Sequence, residues 1–182
     1  MLEDFLVREC CQCIVPTIKQ GALSVMVWGC FCNKGVGILS AVEETMKQEQ
    51  YLQILNGPMV TSGIALFQSE RYIFQQDNAP CHKARRVILH LEEMACQHNF
   101  TLMCWPPQSP DLNPIENMWA EIKRRLQISQ TSNKEKLYND IKEIWYSLDA
   151  FCTKLIDSMP ARVQAVLRAK GGPSTIRTLL YL

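Results

Sequence analysis

The sequence predicts a layered α/β domain that ends in additional helices, and three observations support this fold class. Short apolar segments rich in β-branched residues alternate with segments whose apolar residues recur every three or four positions, which is the order of strands and helices in such domains. After the last predicted strand, only helical patterns follow. The 182 residues, 47% of them hydrophobic, suffice for one sizeable core.

The first predicted elements are a β-hairpin and a helix. Residues 24–31, SVMVWGCF, are few, apolar and β-branched, as expected of a buried strand. An Asn-Lys-Gly turn separates them from residues 35–44, which we predict to form the partner strand. From Thr45 the apolar period becomes helical, and the pair Gly57 and Pro58 weakens the end of that helix.

The middle of the chain predicts two further strands with a helix between them. Residues 71–80, RYIFQQDNAP, contain a strand that stops at Asp77, because the Asn-Ala-Pro that follows cannot continue it comfortably. An apolar stripe from Ala84 to Ala95 predicts the helix. Residues 100–105, FTLMCW, predict the next strand.

Three helices are predicted in the last third of the chain. The first carries an apolar stripe from Ile115 to Leu126. The second begins at a capping-box pattern in residues 132–135, SNKE. The third starts near Pro160 and stops at the Gly-Gly pair of residues 171–172.

The charge balance and the cysteines exclude several classes of protein. A formal net charge of +1 does not fit a strongly basic nucleic-acid binder, so any nucleic-acid surface must be local. No apolar run reaches about 18 residues, and the first residues lack the pattern of a signal peptide, so neither a membrane span nor export is predicted. The nine cysteines are therefore predicted to be reduced thiols. The spacings in CCQC (10–13) and CFC (30–32) are too tight for the usual zinc pairs, and Cys30 and Cys32 are predicted to share one face of a buried strand.

Two carboxylates stand out by their positions. Asp77 comes at the carboxyl end of a predicted strand, and Glu116 lies in the first turn of a helix that follows another strand. In open α/β sheets, sites gather beyond the carboxyl ends of strands, so both acids are expected to face one cleft. Converging carboxylates are hard oxygen ligands suited to Mg²⁺ or Mn²⁺, and two such ions can activate and cleave a phosphodiester.

Each acid also has a purely structural interpretation. Asn113 as N-cap, Pro114 at the first helical position and Glu116 in the first turn make a good helix start, in which the Glu only satisfies backbone donors and the helix dipole. Asp77 with Asn78 is a common turn-forming pair. From the pattern alone, these alternatives stay open.

Two longer motifs favour the catalytic interpretation. Residues 74–84, FQQDNAPCHKA, and residues 105–126, WPPQSPDLNPIENMWAEIKRRL, together resemble the catalytic core of the mariner superfamily (Tc/mariner type) of cut-and-paste DNA transposases. Residues 24–31 and residues 157–174, DSMPARVQAVLRAKGGPS, resemble the same family in the same order. The prolines between residues 105 and 115 make a stiff path to Glu116, which suits a metal ligand.

The resemblance implies a ribonuclease-H-like mixed sheet flanked by helices and a DDE endonuclease and strand transferase. In this family two Asp and one Glu hold two divalent metals, Mg²⁺ or Mn²⁺, which cut DNA at transposon ends and join it to target DNA. By matching position, Asp77 corresponds to the second acid and Glu116 to the third. Asp111, within the proline-rich run, is interpreted as a turn or cap residue.

The first acid of the family has no match in this sequence. In the family it lies on a central strand upstream of the segment that residues 24–31 resemble, and residues 1–23 do not match its motif. We therefore expect that strand to be missing or replaced, with residues 4–10, DFLVREC, as the candidate substitute. The predicted organisation is a divergent segment over 1–23, a partial catalytic core over 24–130 and a helical extension over 131–182.

With one acid and the family's amino-terminal DNA-reading modules unmatched, we expect little or no activity from this chain by itself. The resemblance implies DNA as a partner, bound without sequence preference, a homodimer as in the family, and a nuclear location. No small-molecule substrate and no membrane are expected. The alternatives are a non-catalytic DNA- or protein-binding module, and a non-functional transposon remnant.

Two basic clusters are candidates for contacts with a phosphate backbone. They follow the two acids and comprise Lys83, Arg85 and Arg86, and Lys123, Arg124 and Arg125. The alternative for each cluster is an ordinary solvated helix face. His82 is a further candidate for a nucleic-acid contact, with a local cap or packing role as its alternative. Trp105 and Trp119 can stack on bases, but the apolar stripes predict core positions for Trp119, Trp28 and Trp145.

Overall fold

A mixed β-sheet forms the middle of the structure. The computed structural model describes residues 10–14, 16–20, 22–105, 112–127 and 132–169, with side chains described from residue 16 onward. In these residues the sheet has seven strands. They are β1 (Cys10–Ile14), β2 (Thr17–Gln20), β3 (Leu23–Cys32), β4 (Gly35–Val36), β5 (Ser40–Val42), β6 (Tyr72–Gln76) and β7 (Phe100–Leu102).

The first two strands form one arm of a hairpin with β3. Cys13 pairs with Cys30, and Thr17 pairs with Met26, so β1 and β2 keep a single antiparallel register along β3. Between the two strands, the Pro16 carbonyl still accepts a hydrogen bond from the Val27 amide at 3.1 Å. Because proline has no amide proton, it interrupts the ladder without bending it out of register. The predicted core boundary at residue 24 therefore falls inside a hairpin.

The central position of the sheet is occupied by β1. This strand pairs antiparallel with β3 and parallel with β6, and β7 continues the parallel part beside β6. The expected central strand is thus replaced by residues 10–14, whereas the predicted substitute was residues 4–10. The segment CCQCI lacks a clear alternation of apolar and polar residues, so its pattern does not predict a strand. It forms a strand because β3 and β6 would otherwise leave backbone groups unpaired.

The predicted hairpin partner of β3 is confirmed, since β4 and β5 both pair antiparallel with β3. The strand predicted over residues 100–105 is shorter than expected and ends at Leu102. The predicted end of β6 just before Asp77 is confirmed.

The described residues contain seven α-helices, of which the first six pack on the two faces of the sheet. They are α1 (Gln48–Ile54), α2 (Val60–Phe67), α3 (Arg85–Gln97), α4 (Ile115–Leu126), α5 (Lys134–Tyr146), α6 (Asp149–Asp157) and α7 (Met159–Arg168). A π-helical turn, Leu55–Met59, joins α1 to α2. Gly57 and Pro58 were predicted to weaken a helix end there, but the wider turn accommodates the proline. The Ser62 hydroxyl donates to the Pro58 carbonyl at 2.6 Å.

The carboxyl-terminal helices differ from the prediction in two details. Asn133, not Ser132, caps α5, and its side chain accepts a hydrogen bond from the Lys136 amide. The single helix predicted near Pro160 follows a separate helix, α6, and the two meet at Ser158. The predicted stop at residues 171–172 lies outside the described residues.

The hydrophobic core has two parts, one on each face of the sheet. Side chains of β3 alternate between them: Trp28, Cys30 and Cys32 pack with α1, α2 and α3, while Val27 and Phe31 pack with α4, α5 and α6. The predicted shared face of the two cysteines is therefore confirmed.

All three tryptophans predicted in the core are buried. On the second face, Trp145 stacks on Trp119 with ring centroids 5.1 Å apart and donates a hydrogen bond to the Gly37 carbonyl at 2.9 Å. A Cβ atom at Gly29 would lie 2.9 Å from the Trp145 ring, so this glycine allows the ring to pack directly on β3. The second core thus fixes α4 and α5 to the sheet.

No helix in the described residues is both long and apolar enough to span a membrane.

Candidate metal and nucleic-acid site

Asp77 leaves the sheet at the carboxyl end of β6, where the chain turns toward α3. Its Oδ1 atom accepts a hydrogen bond from the Ala79 amide at 3.0 Å, which closes the turn. The same Oδ1 atom lies 2.6 Å from Nδ1 of His82. Asp77 therefore closes a turn, as its structural interpretation predicts. The turn uses only one of the two carboxylate oxygens, Oδ1.

Glu116 occupies the first turn of α4, and its side chain is exposed. Pro114, not Asn113, is the N-cap residue, and no side-chain hydrogen bond caps this helix. Among the described residues, no donor forms a hydrogen bond with the Glu116 carboxylate. The capping interpretation of Glu116 is therefore not supported by its contacts, and the side chain is available for another role.

The two carboxylates lie close enough to repel each other. Burial raises the pKa of Glu116, the positive charge of Lys123 lowers it, and the negative charge of Asp77 raises it. The repulsion acts on Glu116 because Asp77 has the lower pKa and is already ionised when Glu116 titrates. The sequence expectation that both acids face one cleft is consistent with this interaction across the sheet edge.

A hydrogen bond ties the two connecting segments together at this edge. The side-chain amide of Asn78, next to Asp77, donates to the Trp105 carbonyl at 3.2 Å. Two residues before Trp105, the Met103 amide donates to the Phe74 carbonyl at 2.9 Å and extends the parallel pairing beyond β7. Residues 103–105, which follow β7, thus run beside the Asp77 turn. Residues 106–111, which include Asp111, lie outside the described part of the chain.

His82 is buried behind Asp77, with 1% of its side chain exposed. Its ring packs against the Tyr51 ring of α1, with centroids 4.2 Å apart. Burial by itself lowers the pKa of His82, but the hydrogen bonds to Asp77 and Cys81 and the charge of Asp77 outweigh it and raise that pKa to about 9. In turn, burial raises the pKa of Asp77, and the bonds from His82 and Ala79 outweigh it and hold that pKa below its usual value.

The contacts of His82 favour one of its two interpretations. Its buried ring packs on Tyr51, which supports the packing alternative more than a nucleic-acid contact. Tyr51, which completes this packing, lies in the helix predicted after Thr45 and was not a predicted site residue. No spacing rule links Tyr51 to residue 82, because the contact joins elements from different parts of the chain.

The six basic candidates are not equivalent. Glu121 binds Arg124 through two hydrogen bonds of 2.8 Å and Arg125 through one of 2.7 Å. The hydrogen bonds from Arg124, partial burial, which opposes them, and the bond from Arg125 together lower the pKa of Glu121 to about 2. These two arginines are therefore engaged within α4.

The other basic residues divide between two regions. Arg86 lies beside α1, where its charge contributes to the lowered pKa of Glu49 after the hydrogen bonds to that carboxylate. Lys83, Arg85 and Lys123 are exposed and form no ion pair or side-chain hydrogen bond within the described residues. Lys123 follows Glu116 by two helical turns and shares its face, as their electrostatic interaction indicates.

The donor set fits a divalent cation in part. Asp77 Oδ2 and both oxygens of Glu116 have no hydrogen-bond donor among the described residues, and hard oxygen ligands of this kind suit Mg²⁺ or Mn²⁺, which keep several waters. The described residues contain no group of three or more His, Cys, Asp or Glu side chains arranged for a metal ion. Cys13 of β1 pairs with Gln76, just before Asp77, and the next residue of β1 is Ile14, which cannot ligate a metal.

Comparisons with known proteins identify relatives over most of the chain. The model of the DDE superfamily endonuclease family matches residues 11–138. The chain is 40% identical over 161 residues to the Tc1 transposase of Caenorhabditis elegans, covering 88% of this chain and 56% of that protein. It is 39% identical over 164 residues to the Tcb1 transposase of Caenorhabditis briggsae, covering 90% of this chain and 58% of that protein. The chain thus spans little more than half the length of these relatives.

Solved structures show the same fold. The catalytic domain of the Mos1 mariner transposase superposes with a TM-score of 0.78 at 22% identity, covering 91% of this chain and 83% of that one. A Mos1 catalytic domain with raltegravir and Mg gives 0.78 at 21% identity, covering 92% and 86%. A Mos1 paired-end complex with the left transposon end gives 0.77 at 20% identity, covering 91% and 56%. The predicted ribonuclease-H-like α/β fold with flanking helices is confirmed.

Proposed function

Because the chain belongs to the DDE superfamily of endonucleases, in its Tc/mariner transposase branch, we propose that it is a DNA-processing domain in which Asp77 and Glu116 hold a divalent cation against a phosphodiester. The observation that carries the proposal is the placement of the two acids, with Asp77 directly after β6 and Glu116 in the first turn of α4, near enough for the charge of Asp77 to act on Glu116. Asp77 Oδ2 and both Glu116 oxygens accept no hydrogen bond from the described residues, and free carboxylate oxygens of this kind are ligands that a divalent cation prefers.

Each residue has a defined part in the proposed mechanism. Asp77 and Glu116 supply the ligand oxygens, Asp77 from the end of the parallel strands and Glu116 from α4. A bound Mg²⁺ or Mn²⁺ supplies polarisation of the phosphodiester and activation of the attacking oxygen. Three exposed basic residues neutralise neighbouring phosphates and orient the DNA strand. Lys123 lies on the face of Glu116, and Lys83 and Arg85 follow Asp77.

We further propose that cleavage by the described residues is weak. A family site uses three carboxylates. The described part of β1, the strand next to the one that leads to Asp77, contains no acidic residue. With two carboxylates, a cation is held with fewer bonds and with less control of its position. A third acid from residues outside the described ranges would restore the site. Strong cleavage by the whole chain would therefore indicate that such an acid is present.

Nicking of supercoiled plasmid DNA in Mg²⁺ or Mn²⁺ tests the proposal. We expect slow nicking by the wild-type chain that is lost in Asp77→Ala and in Glu116→Ala, and is unchanged in Glu92→Ala, an exposed acid on α3. Nicking that survives both site substitutions would refute the assignment of these two acids. Mn²⁺ binding to the wild-type chain in the absence of DNA gives a second readout that does not depend on turnover.

A non-catalytic DNA-binding module is the second candidate, and the three exposed basic residues without ionic partners in the described chain favour it. This function predicts salt-sensitive binding to duplex DNA that needs Lys83, Arg85 and Lys123 but neither Asp77 nor a divalent cation. Binding that is unchanged by Asp77→Ala, together with no nicking, would select this candidate. A chain that neither binds nor nicks DNA would instead be a non-functional remnant.

The partners and the location follow from the same proposal. One Mos1 structure is a paired-end complex with a transposon end, which supports DNA and a second protomer as partners of this chain too. Genomic DNA as the substrate implies a nuclear protein. Light scattering with and without transposon-end DNA would test the assembly, with a dimer expected on DNA.

A further inference from the structure

The Asp77 carboxylate presents its two oxygens to different surroundings. Oδ1 accepts hydrogen bonds from the Ala79 amide at 3.0 Å and from Nδ1 of His82 at 2.6 Å. These two donors occupy both acceptor directions of an sp² oxygen. Oδ2 has no hydrogen-bond partner among the described residues. A cation that approaches Asp77 therefore finds one free oxygen.

The His82 imidazole is held in place from behind. Its ring packs on the Tyr51 ring with centroids 4.2 Å apart and an angle of 35° between the planes. The Tyr51 hydroxyl donates to Oε1 of Gln76 at 2.6 Å, and the Gln76 amide donates to the His82 carbonyl at 3.3 Å. Gln76 is the last residue of β6 and directly precedes Asp77. The contacts among Tyr51, Gln76 and His82 therefore connect α1 to the end of the strand and to the turn that follows it.

The second ring nitrogen of His82, Nε2, takes no part in this support. Nε2 is buried and has no hydrogen-bond partner in the described structure. The hydrogen bond between Nδ1 and Asp77, at 2.6 Å, is therefore the contact that aligns the ring with the carboxylate, and the stacking on Tyr51 fixes its plane. A buried polar atom without a partner costs free energy, and such a cost is retained at sites where it serves geometry.

We propose that His82 is a positioning residue, supported by Tyr51, that occupies Oδ1 of Asp77 and so makes this carboxylate a one-oxygen ligand aimed through Oδ2. This role rests on the proposed cation site, and it adds to it the atom that binds and the reason for its orientation. Without His82, only the Ala79 amide holds Oδ1, and the carboxylate can turn to offer either oxygen, or both, to the cation. Removal of such supporting hydrogen bonds lowers metal affinity by about 10- to 100-fold in other metal sites.

A pair of amide substitutions tests the geometry. In His82→Asn the side-chain nitrogen can stand near the position of Nδ1 and donate to Oδ1, whereas in His82→Gln the nitrogen extends toward the position of Nε2. The two variants have the same chemistry and differ in reach. Mn²⁺ titration of the chain, followed by electron paramagnetic resonance of free Mn²⁺, measures affinity without DNA or turnover. We expect His82→Asn to bind close to wild type and His82→Gln to lose about tenfold.

Further variants separate the possible failures. Tyr51→Leu removes the stacking surface and is expected to weaken Mn²⁺ binding less than His82→Gln does, while His90→Leu, on α3 and bonded to Asn56 instead, is expected to have no effect. Thermal unfolding in EDTA identifies any variant that is not folded, and the Asn and Gln pair remains decisive if Tyr51→Leu unfolds. Equal Mn²⁺ affinity in His82→Asn and His82→Gln would overturn the positioning role alone. Wild-type binding that is unchanged in Asp77→Ala, or absent altogether, would overturn the cation site and the positioning role together.

Discussion

Asp77 and Glu116 carry the same chemical group, yet the two sides of the molecule support them differently. Asp77 ends a buried strand, and its carboxylate is bonded to a backbone amide and to a buried His82. Glu116 is exposed and has no hydrogen bond from the described residues, so its position depends on how α4 packs on the sheet. One acid is fixed by polar contacts of its own, and the other is fixed only by the helix that carries it.

This difference predicts two kinds of sensitivity. Changes in the second core should move Glu116 while they leave the Asp77 turn intact, because α4, α5 and α6 pack on the opposite face from Tyr51. Changes in the Asp77 surroundings should act through hydrogen bonds and protonation.

The largest effect is expected from Trp145→Ala. This side chain is fully buried, stacks on Trp119 of α4 and donates to the Gly37 carbonyl, so its removal leaves a cavity and an unpaired carbonyl. We expect a loss of about 3–5 kcal/mol in the free energy of unfolding, measured by urea denaturation. Ile64→Ala, on an exposed position of α2, should change it by less than about 0.5 kcal/mol. A Trp145→Ala loss no greater than the control would show that α4 is not held by this core.

Arg162→Gln should have a smaller effect on the same side. Arg162 is buried on α7, and its guanidinium donates to the Asn117 side chain at 2.8 Å and to the Ser158 hydroxyl at 2.9 Å. Asn117 follows Glu116, so this contact anchors the first turn of α4.

Because hydrogen bonds to charged groups contribute about 1.5–3 kcal/mol, we expect a loss of that size on thermal or urea unfolding. Arg168→Gln provides the matched control, since Arg168 is exposed on the same helix. Equal stabilities of the two variants would remove Arg162 from the support of Glu116.

The sequence predicted the two sides of the site unequally. β3, β6, α3 and α4 were predicted because their apolar residues follow clear periods over several turns or pairs. The position of both acids at element ends followed from those boundaries. β1 was not predicted because the short segment CCQCI has no period, and its strand state depends on pairing with β3 and β6, which are distant in the sequence.

The contacts around the acids were also beyond reach of sequence patterns. The packing of Tyr51 on His82 and the bond between Arg162 and Asn117 join residues 31 and 45 positions apart. Similarly, the choice of Glu121 as partner for Arg124 and Arg125, which leaves Lys123 exposed, depends on side-chain conformations and not on spacing alone.

The Asp77 side should depend on pH through His82. The folded-state pKa of His82 is raised to about 9 from an ordinary value of 6.5, so its stabilising contribution is complete below pH 6.5 and is lost as the pH rises through 9. The pKa of Asp77 is lowered, so its contribution is present above the ordinary carboxyl range and is lost in acid.

We expect wild type to lose on the order of 1 kcal/mol more stability than His82→Asn over this alkaline window, measured by urea unfolding in EDTA with a thiol reductant. Glu116, whose pKa is raised, contributes nothing to this loss, since it is already ionised there. Parallel stability curves for the two proteins would mean that His82 stays neutral in the fold.

The smallest effect should distinguish two neighbouring cations on the Glu116 side. Lys123 lies on the face of Glu116 without an ionic partner in the described chain, whereas Arg124 is held by two bonds to Glu121. A side chain that already neutralises a carboxylate releases fewer DNA counterions when it contacts a phosphate. Because Lys123 has no such partner, Lys123→Gln should weaken duplex DNA binding a few-fold and reduce the salt slope by about one. Arg124→Gln should change both quantities less. Fluorescence anisotropy at several salt concentrations measures them, and a larger loss in Arg124→Gln would place the DNA path along the Glu121 side of α4 instead of the face that carries Glu116.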